Sequence, residues 1–216
     1  MSAKHGKPVI GLLGGVGAGK STVAAELVRL GCALVDADAI GHDLLKDPQV
    51  HARFRRQWGQ EVLDAAGHID RSAVARRVFD SPADLRRLNA ITHPRIRRGI
   101  IGQLRRYQAD PSVPAIVLDA ALLLETDWHK LCSAMVFVSA PGELRRRRVA
   151  SSRGWTGPAW IRRENSQKPL DIKAAKSEYV IENSSTLACL REQVRSVFRQ
   201  IVHPAESPKD RAAKRS

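Results

Sequence analysis

The chain has 216 residues, 43% of them hydrophobic, which is enough for one large α/β domain with a small insertion. No apolar run approaches the ~18 residues of a membrane-crossing helix, and the polar opening MSAKHGKP runs straight into an apolar segment, so neither a membrane anchor nor a signal peptide is expected. The formal charge is +14, from 36 Lys and Arg against 22 Asp and Glu, yet the basic residues are scattered over amphipathic segments with no nucleic-acid module; polyanionic small molecules are expected as partners ahead of nucleic acid.

The first element carries the clearest chemistry. Val9 to Leu13 reads as a buried strand, followed by GGVGAGKST and a helical pattern through Val23, Leu27 and Leu30. Gly14, Gly19, Lys20 and Ser21 fit G-x-x-x-x-G-K-[ST]. Glycines let successive N–H groups turn inward, and the helix that follows adds its own unpaired N–H groups, so Gly15, Val16, Gly17, Ala18, Gly19, Lys20, Ser21 and Thr22 are candidate phosphate contacts. Lys20 supplies a point charge for the β and γ phosphates and Ser21 a hydroxyl for Mg²⁺.

Gly31 stops the helix and Ala33 to Val35 forms a second strand, with Asp36 and Asp38 directly after it in VDADAIG. Carboxylates at the carboxyl end of a parallel strand lie where open sheets bind ligands. Asp38 is a candidate base or orienter for an attacking hydroxyl and Asp36 an aid to magnesium; an N-cap role for the helix beginning near Ala39 is the alternative for either. Residues 39–109 then read as a helical excursion too long for an ordinary connection, which suggests an acceptor-binding subregion. Its helices are expected from Pro48 to Gly59, from Asp70 or Ser72 to Phe79, and from Ser81-Pro82 to Ile91. A new helix is expected at His93-Pro94, with Arg95, Arg97 and Arg98 on its opening turns, where an anion would relieve their clash with the helix dipole. His93 and Arg97 are the candidate ligand contacts there, a solvated basic face being the alternative.

Ala115 to Leu118 is the third strand, closed by Asp119 in AIVLDAALLLE, an acidic strand tip that resembles a Walker B arrangement and suits magnesium or a cap. Glu125 is placed to hold a loop or a substrate group. Ala134 to Val138 is the fourth strand. Arg145 to Arg148 cover every side of one helical turn, so one or two face phosphates and the others are wet. From Arg153 to Pro169 the chain carries Gly154 and Gly157 as hinges and Trp155, Trp160, Arg162 and Arg163 on the body, a candidate lid. Tyr179 to Ile181 is the fifth strand, Asn183 follows it near a possible base pocket, and Leu187 to Val202 is an amphipathic helix. The three cysteines, Cys32, Cys132 and Cys189, stand singly without C-x-x-C spacing and read as buried free thiols of a reducing cytoplasm.

Five strands alternating with helices give an α/β fold, the three-layer α/β/α P-loop nucleoside-triphosphate hydrolase architecture with a five-stranded parallel sheet. The kinase domain is expected over 8–203, with the helical subregion at about 39–109, the lid at about 153–169, and a basic, disordered tail at 204–216. The absence of N/T-K-x-D disfavours a GTPase, and little sequence remains for the coupling domain of a motor or helicase.

From about Ile10 to Phe198 the chain resembles the dephospho-coenzyme A kinase family. The parts are GLLGGVGAGKST, VDAD, G-x-I-D-R at Gly67 to Arg71, H-P-x-I at His93 to Ile96, LLLE at Leu122 to Glu125, Arg153-Gly154, Gln167 and VIEN at 180–183. The resemblance implies Mg²⁺-ATP as donor and dephospho-CoA as acceptor, phosphorylated on its ribose 3′-hydroxyl to give CoA and ADP. It implies that Asp38 is the base or orienter, that His93 and Arg97 belong to the acceptor site, and that lid arginines, Arg153 among them, and Asn183 belong to the nucleotide site; the reading of the residues themselves adds Lys20 and Asp119 as catalytic and Glu125 on the acceptor side. The protein is expected to be cytoplasmic and a monomer. The chain departs from the family pattern at Ala121 to Leu124, where Pro-Leu-Leu-Phe is usual, and at Ser177-Glu178, where Ala-Asp is usual. Another small-molecule or nucleoside kinase, or a basic P-loop ATPase associated with nucleic acid, are the alternatives.

Overall fold

The computed structural model describes residues 6–79 and 81–204. All of the expected tail except Pro204 lies outside the described residues. The chain divides into two compact units, one formed by the segments up to Val35 and from Tyr107 onward, the other by Asp36–Arg106.

The first unit is built on β1 (Val9–Gly14), six residues buried without exception. Such a run suits the middle of a parallel sheet, where both faces are covered. The strands β2 (Ala33–Asp36), β3 (Ile116–Asp119), β4 (Ala134–Ser139) and β5 (Tyr179–Glu182) complete a five-stranded parallel sheet in the order β2-β3-β1-β4-β5. Val9 pairs with Ile116 on one side of β1 and Ile10 with Ala134 on the other, so the strand order reverses at β1, where ligands of open sheets bind. Helices α1 (Lys20–Arg29) and α9 (Leu187–Val202) cover one face: Val23, Leu27, Leu190, Val194 and Ile201 share a core with Ile10, Leu12, Val117, Val136 and Ile181. The opposite face of β1 is tight at Gly11, where an added Cβ would lie 2.7 Å from Met135 Sδ and 2.8 Å from Cys132 Sγ. Glu178, which stands where an aspartate is usual, accepts from the Met135 N–H at 2.6 Å and fastens the start of β5 to β4. After β4 come α6 (Gly142–Arg153), α7 (Gly157–Asn165) and α8 (Leu170–Ala175).

The second unit holds α2 (Ala37–Leu44), α3 (Pro48–Trp58), α4 (Arg71–Phe79) and all but the last turn of α5 (Pro82–Ala109). Asp36, Asp47 and Asp70 each accept a backbone N–H at a helix start, as short acceptors at N-caps do. Val50, Phe54, Trp58, Val62 and Val74 form a separate core, with Phe54 and Trp58 edge to face at 5.1 Å. The buried Asp84 carboxylate gathers Trp58 Nε1 at 3.0 Å, Arg87 at 2.9 Å and Arg77 at 3.2 Å. Those hydrogen bonds, Trp58's first and Arg87's next, pull its pKa down to about 2.

Two expectations need correction, and one element is new. No helix begins at Pro94; it sits inside the continuous α5. The turn preceding it is held by side chains, with Thr92 Oγ1 donating to the Leu88 carbonyl at 2.9 Å and the Arg95 guanidinium to that of Ile91 at 3.1 Å. Arg95, Arg97 and Arg98 are therefore mid-helix, and the helix-dipole argument for an anion beside them lapses. The thiols are not alike either: Cys32 is buried, Cys132 half-buried and Cys189 exposed at the start of α9, because that residue lies off the apolar stripe of its helix. Finally α8 was not anticipated, since six residues are too few to display a period.

Candidate active site

The loop between β1 and α1 ends at Gly19, which serves as N-cap with φ 92° and no side-chain cap. A Cβ there would be both strained and 2.1 Å from Asn183 Nδ2, so glycine is required by conformation and by space. The first N–H groups of α1 have no intrahelical acceptor, and Ser21 stands exposed on that turn, an arrangement suited to phosphate oxygens and a hydrated cation. Lys20 folds over the loop, its Nζ donating to the carbonyls of Gly14 at 3.1 Å and Gly15 at 3.2 Å.

Asn183, at the end of β5, is buried. Its Nδ2 donates to the Ala18 carbonyl at 2.8 Å and its own N–H to Ser139 at 2.8 Å. Arg148 reaches the same place, donating to the Asn183 carbonyl at 3.0 Å and to Ala18 at 3.4 Å. The carboxamide singled out for a base pocket is thus engaged in bracing the phosphate loop. Of the four consecutive arginines, Arg145 is buried and Arg148 half-buried against the loop, whereas Arg146 and Arg147 are exposed, as one turn of helix requires. Arg153 is exposed at the end of α6, its guanidinium 4.9 Å from the centre of the Trp155 ring.

Two residues beside the loop were not singled out. Glu164 of α7 accepts from the Val16 N–H at 2.8 Å and pairs with Arg145. Lys173 of α8 is buried, with its Nζ 2.6 Å from Gln167 Oε1 and 3.5 Å from the Gly14 carbonyl. Burial, then the neighbouring Lys20 charge, pushes the Lys173 pKa down; Glu125 and Glu164 pull it back. Only a lone lysine in the apolar LDIKAA hinted at this.

Asp119 is half-buried at the tip of β3, beside β1. Glu125 Oε1 accepts from the Lys168 N–H at 2.5 Å, and its Oε2 is buried with no hydrogen-bond partner among the described residues. A carboxylate oxygen held in that state fits a donor absent from the protein itself, a cation or a substrate hydroxyl.

In the helical unit Asp36 and Asp38 separate in role. Asp36 caps α2, accepting from the Ala39 N–H at 2.9 Å, and Asp38 stands exposed in the first turn. Helix α2 passes close to α5: a Cβ on Gly99 would lie 2.8 Å from Ile40 Cγ2, and one on Gly41 3.4 Å from Ile96 Cδ1. The helix bearing Asp38 therefore lies against the stretch that carries His93 and Arg97, which share a face at i,i+4 spacing. His93 is half-buried, and that burial lowers its pKa; Arg97 is exposed.

Residues 8–188 match the dephospho-CoA kinase family. The chain belongs to that family. A dephospho-CoA kinase from Latilactobacillus sakei is 32% identical over 195 residues, spanning 90% of this chain and 96% of its own. One from Anaeromyxobacter dehalogenans is 39% identical over 177 residues, 82% and 83% of the two chains. A solved Thermus thermophilus structure superposes with a TM-score of 0.79 at 32% identity, covering 90% of this chain and 98% of that one. Dephospho-CoA kinase from Campylobacter jejuni, at 22% identity and a TM-score of 0.62, shares the fold. No helix of the described residues is long and apolar enough to cross a membrane.

Proposed function

We propose that this member of the dephospho-CoA kinase family transfers the γ-phosphoryl group of ATP to the ribose 3′-hydroxyl of dephospho-CoA, giving CoA and ADP. The family match over residues 8–188 carries the reading. The loop amides from Gly15 to Thr22 and the Lys20 ammonium hold the phosphates, and Arg145, Arg148 and Arg153 supply further positive charge around them. Magnesium, when bound, draws charge from the phosphate oxygens; Ser21 holds it, with Asp119 and Asp36 as candidate water-mediated partners. Asp38 accepts the proton of the attacking hydroxyl. His93, Arg97 and Glu125 hold the acceptor, Asn183 keeps the nucleotide end of the loop in shape, and residues 153–169 form a lid that excludes water.

The test is an ADP-release assay with Mg²⁺-ATP across dephospho-CoA, shikimate, gluconate and nucleosides, with product mass confirming one added phosphoryl group. Dephospho-CoA is expected to be the acceptor, and K20M and D38N to lose about 100-fold or more of kcat, the scale of removing a charge-stabilising or proton-transfer group. Turnover of another acceptor with dephospho-CoA untouched would move the chain to a different small-molecule kinase. Salt-sensitive nucleic-acid binding without acceptor phosphorylation would favour an ATPase instead.

A further inference from the structure

The phosphate loop and α7 meet at Val16. The Val16 N–H donates to Glu164 Oε2 at 2.8 Å, and the Val16 carbonyl accepts from Trp160 Nε1 at 3.2 Å and from Arg145 Nη1 at 3.4 Å. The second Glu164 oxygen takes Arg145 Nη1 at 2.5 Å, and the Arg145 guanidinium lies 5.3 Å from the centre of the Trp160 ring. None of the α7 residues is fully buried, so polar contacts rather than apolar area hold this helix on the loop. The pair rests on the bare Cα of Gly15: an added Cβ would come 2.2 Å from Arg145 Nη1 and 2.9 Å from Glu164 Oε1.

A carboxylate that accepts from a loop amide with one oxygen and from a guanidinium with the other makes the contacts that a phosphoryl group would make there. Lys20 and Arg145 bear on Lys173 from the cationic side, and Glu125 and Glu164 from the anionic side. A multiply charged polyphosphate entering that field is attracted by the three cations and repelled by Glu164.

We infer that Glu164 is a positioning residue: its carboxylate fills the seat made by the Val16 amide and Arg145, keeps that arginine aimed at the loop, and yields the seat to a nucleotide phosphoryl group, freeing α7. The inference rests on the loop being the ATP-phosphate site. It goes further in making α7 release and phosphate entry one exchange, with Trp160 as its reporter.

The experiment measures binding of a non-hydrolysable ATP analogue, and of AMP, to the full chain by calorimetry. Replacing Glu164 by Gln keeps an acceptor for Val16 but removes the competing charge. E164Q is expected to bind the analogue about three- to tenfold more tightly, with AMP affinity unchanged, as loss of one partly screened charge contact predicts. In turnover, KM for ATP and kcat both fall, because Arg145 loses its guide. The analogue alters tryptophan emission in the wild type and not in W160F. Should E164Q misfold, E164A, which removes the same charge, is expected to show the same tightening. Analogue affinity that stays level or weakens in folded variants would overturn the inference while leaving the ATP site standing. A wild type that binds no analogue would overturn both.

Discussion

Asn183 and Asp84 show how one buried polar side chain can organise each unit. Asn183 satisfies the Ala18 carbonyl and receives Arg148 on its own carbonyl, so N183A leaves the Ala18 carbonyl with only the longer contact from Arg148. The expected cost is about 1–3 kcal/mol of stability, with weaker ATP-analogue binding. Chemical denaturation and calorimetry check both, and an unchanged midpoint would remove the bracing role. Asp84 makes a pH argument. Its folded pKa of about 2 lies below the ~3.9 of an unfolded aspartate, so the folded state binds the proton less readily. The stability it contributes is present above pH ~4 and is lost as pH falls toward 2. Melting curves of wild type and D84N should differ most above pH 4 and converge near pH 2; parallel curves would refute the assignment. Such residues are poorly legible in a sequence because their partners are remote: Val16 and Glu164 are separated by 148 positions, Gly14 and Lys173 by 159.

At the scale of elements, α5 is the informative case. An interior proline lacks an N–H and crowds the preceding turn, at about 3 kcal/mol in an ordinary helix. Thr92 and Arg95 hold the carbonyls of Leu88 and Ile91, on either side of the Ala90 carbonyl that Pro94 cannot reach with an N–H. P94A should therefore raise the unfolding midpoint by an amount equivalent to about 1–2 kcal/mol. Helical content should stay the same, and a lower midpoint would show that the interruption is needed where α2 crosses α5. His93-Pro94 misled the sequence reading because proline is equally at home in a helix's first turn. The strands were legible for the opposite reason: each is a short apolar run bounded by turn residues, and β1 ends in a loop whose spacing only phosphate chemistry explains. The α9 stripe was also plain, since Leu190, Val194, Val197 and Ile201 repeat at the helical period and all are buried. The loop's conformation was legible at its glycines, and Gly19 takes the φ of 92° that only glycine adopts readily. The counter-charge of Glu164 was hidden inside a segment readable only as lid.

For the molecule as a whole, each unit has its own core, with Val50, Phe54 and Trp58 in one and the sheet with α1 and α9 in the other. The three thiols all belong to the sheet unit, at very different depths. Burial pushes the Cys32 and Cys132 pKa values up to about 12, whereas hydrogen bonds from Thr186 and Ser185 lower that of Cys189. A thiolate is the reactive species, so native protein should consume one equivalent of an aromatic disulfide reagent quickly and two more only on unfolding. Two fast equivalents would show that the sheet is more open than described. The tight seat under Gly11 gives this a further use. Cys132 lies against the strand that feeds the phosphate loop, so its slow labelling rate is a clock for the opening of β1, readable without any substrate and in any variant of the loop.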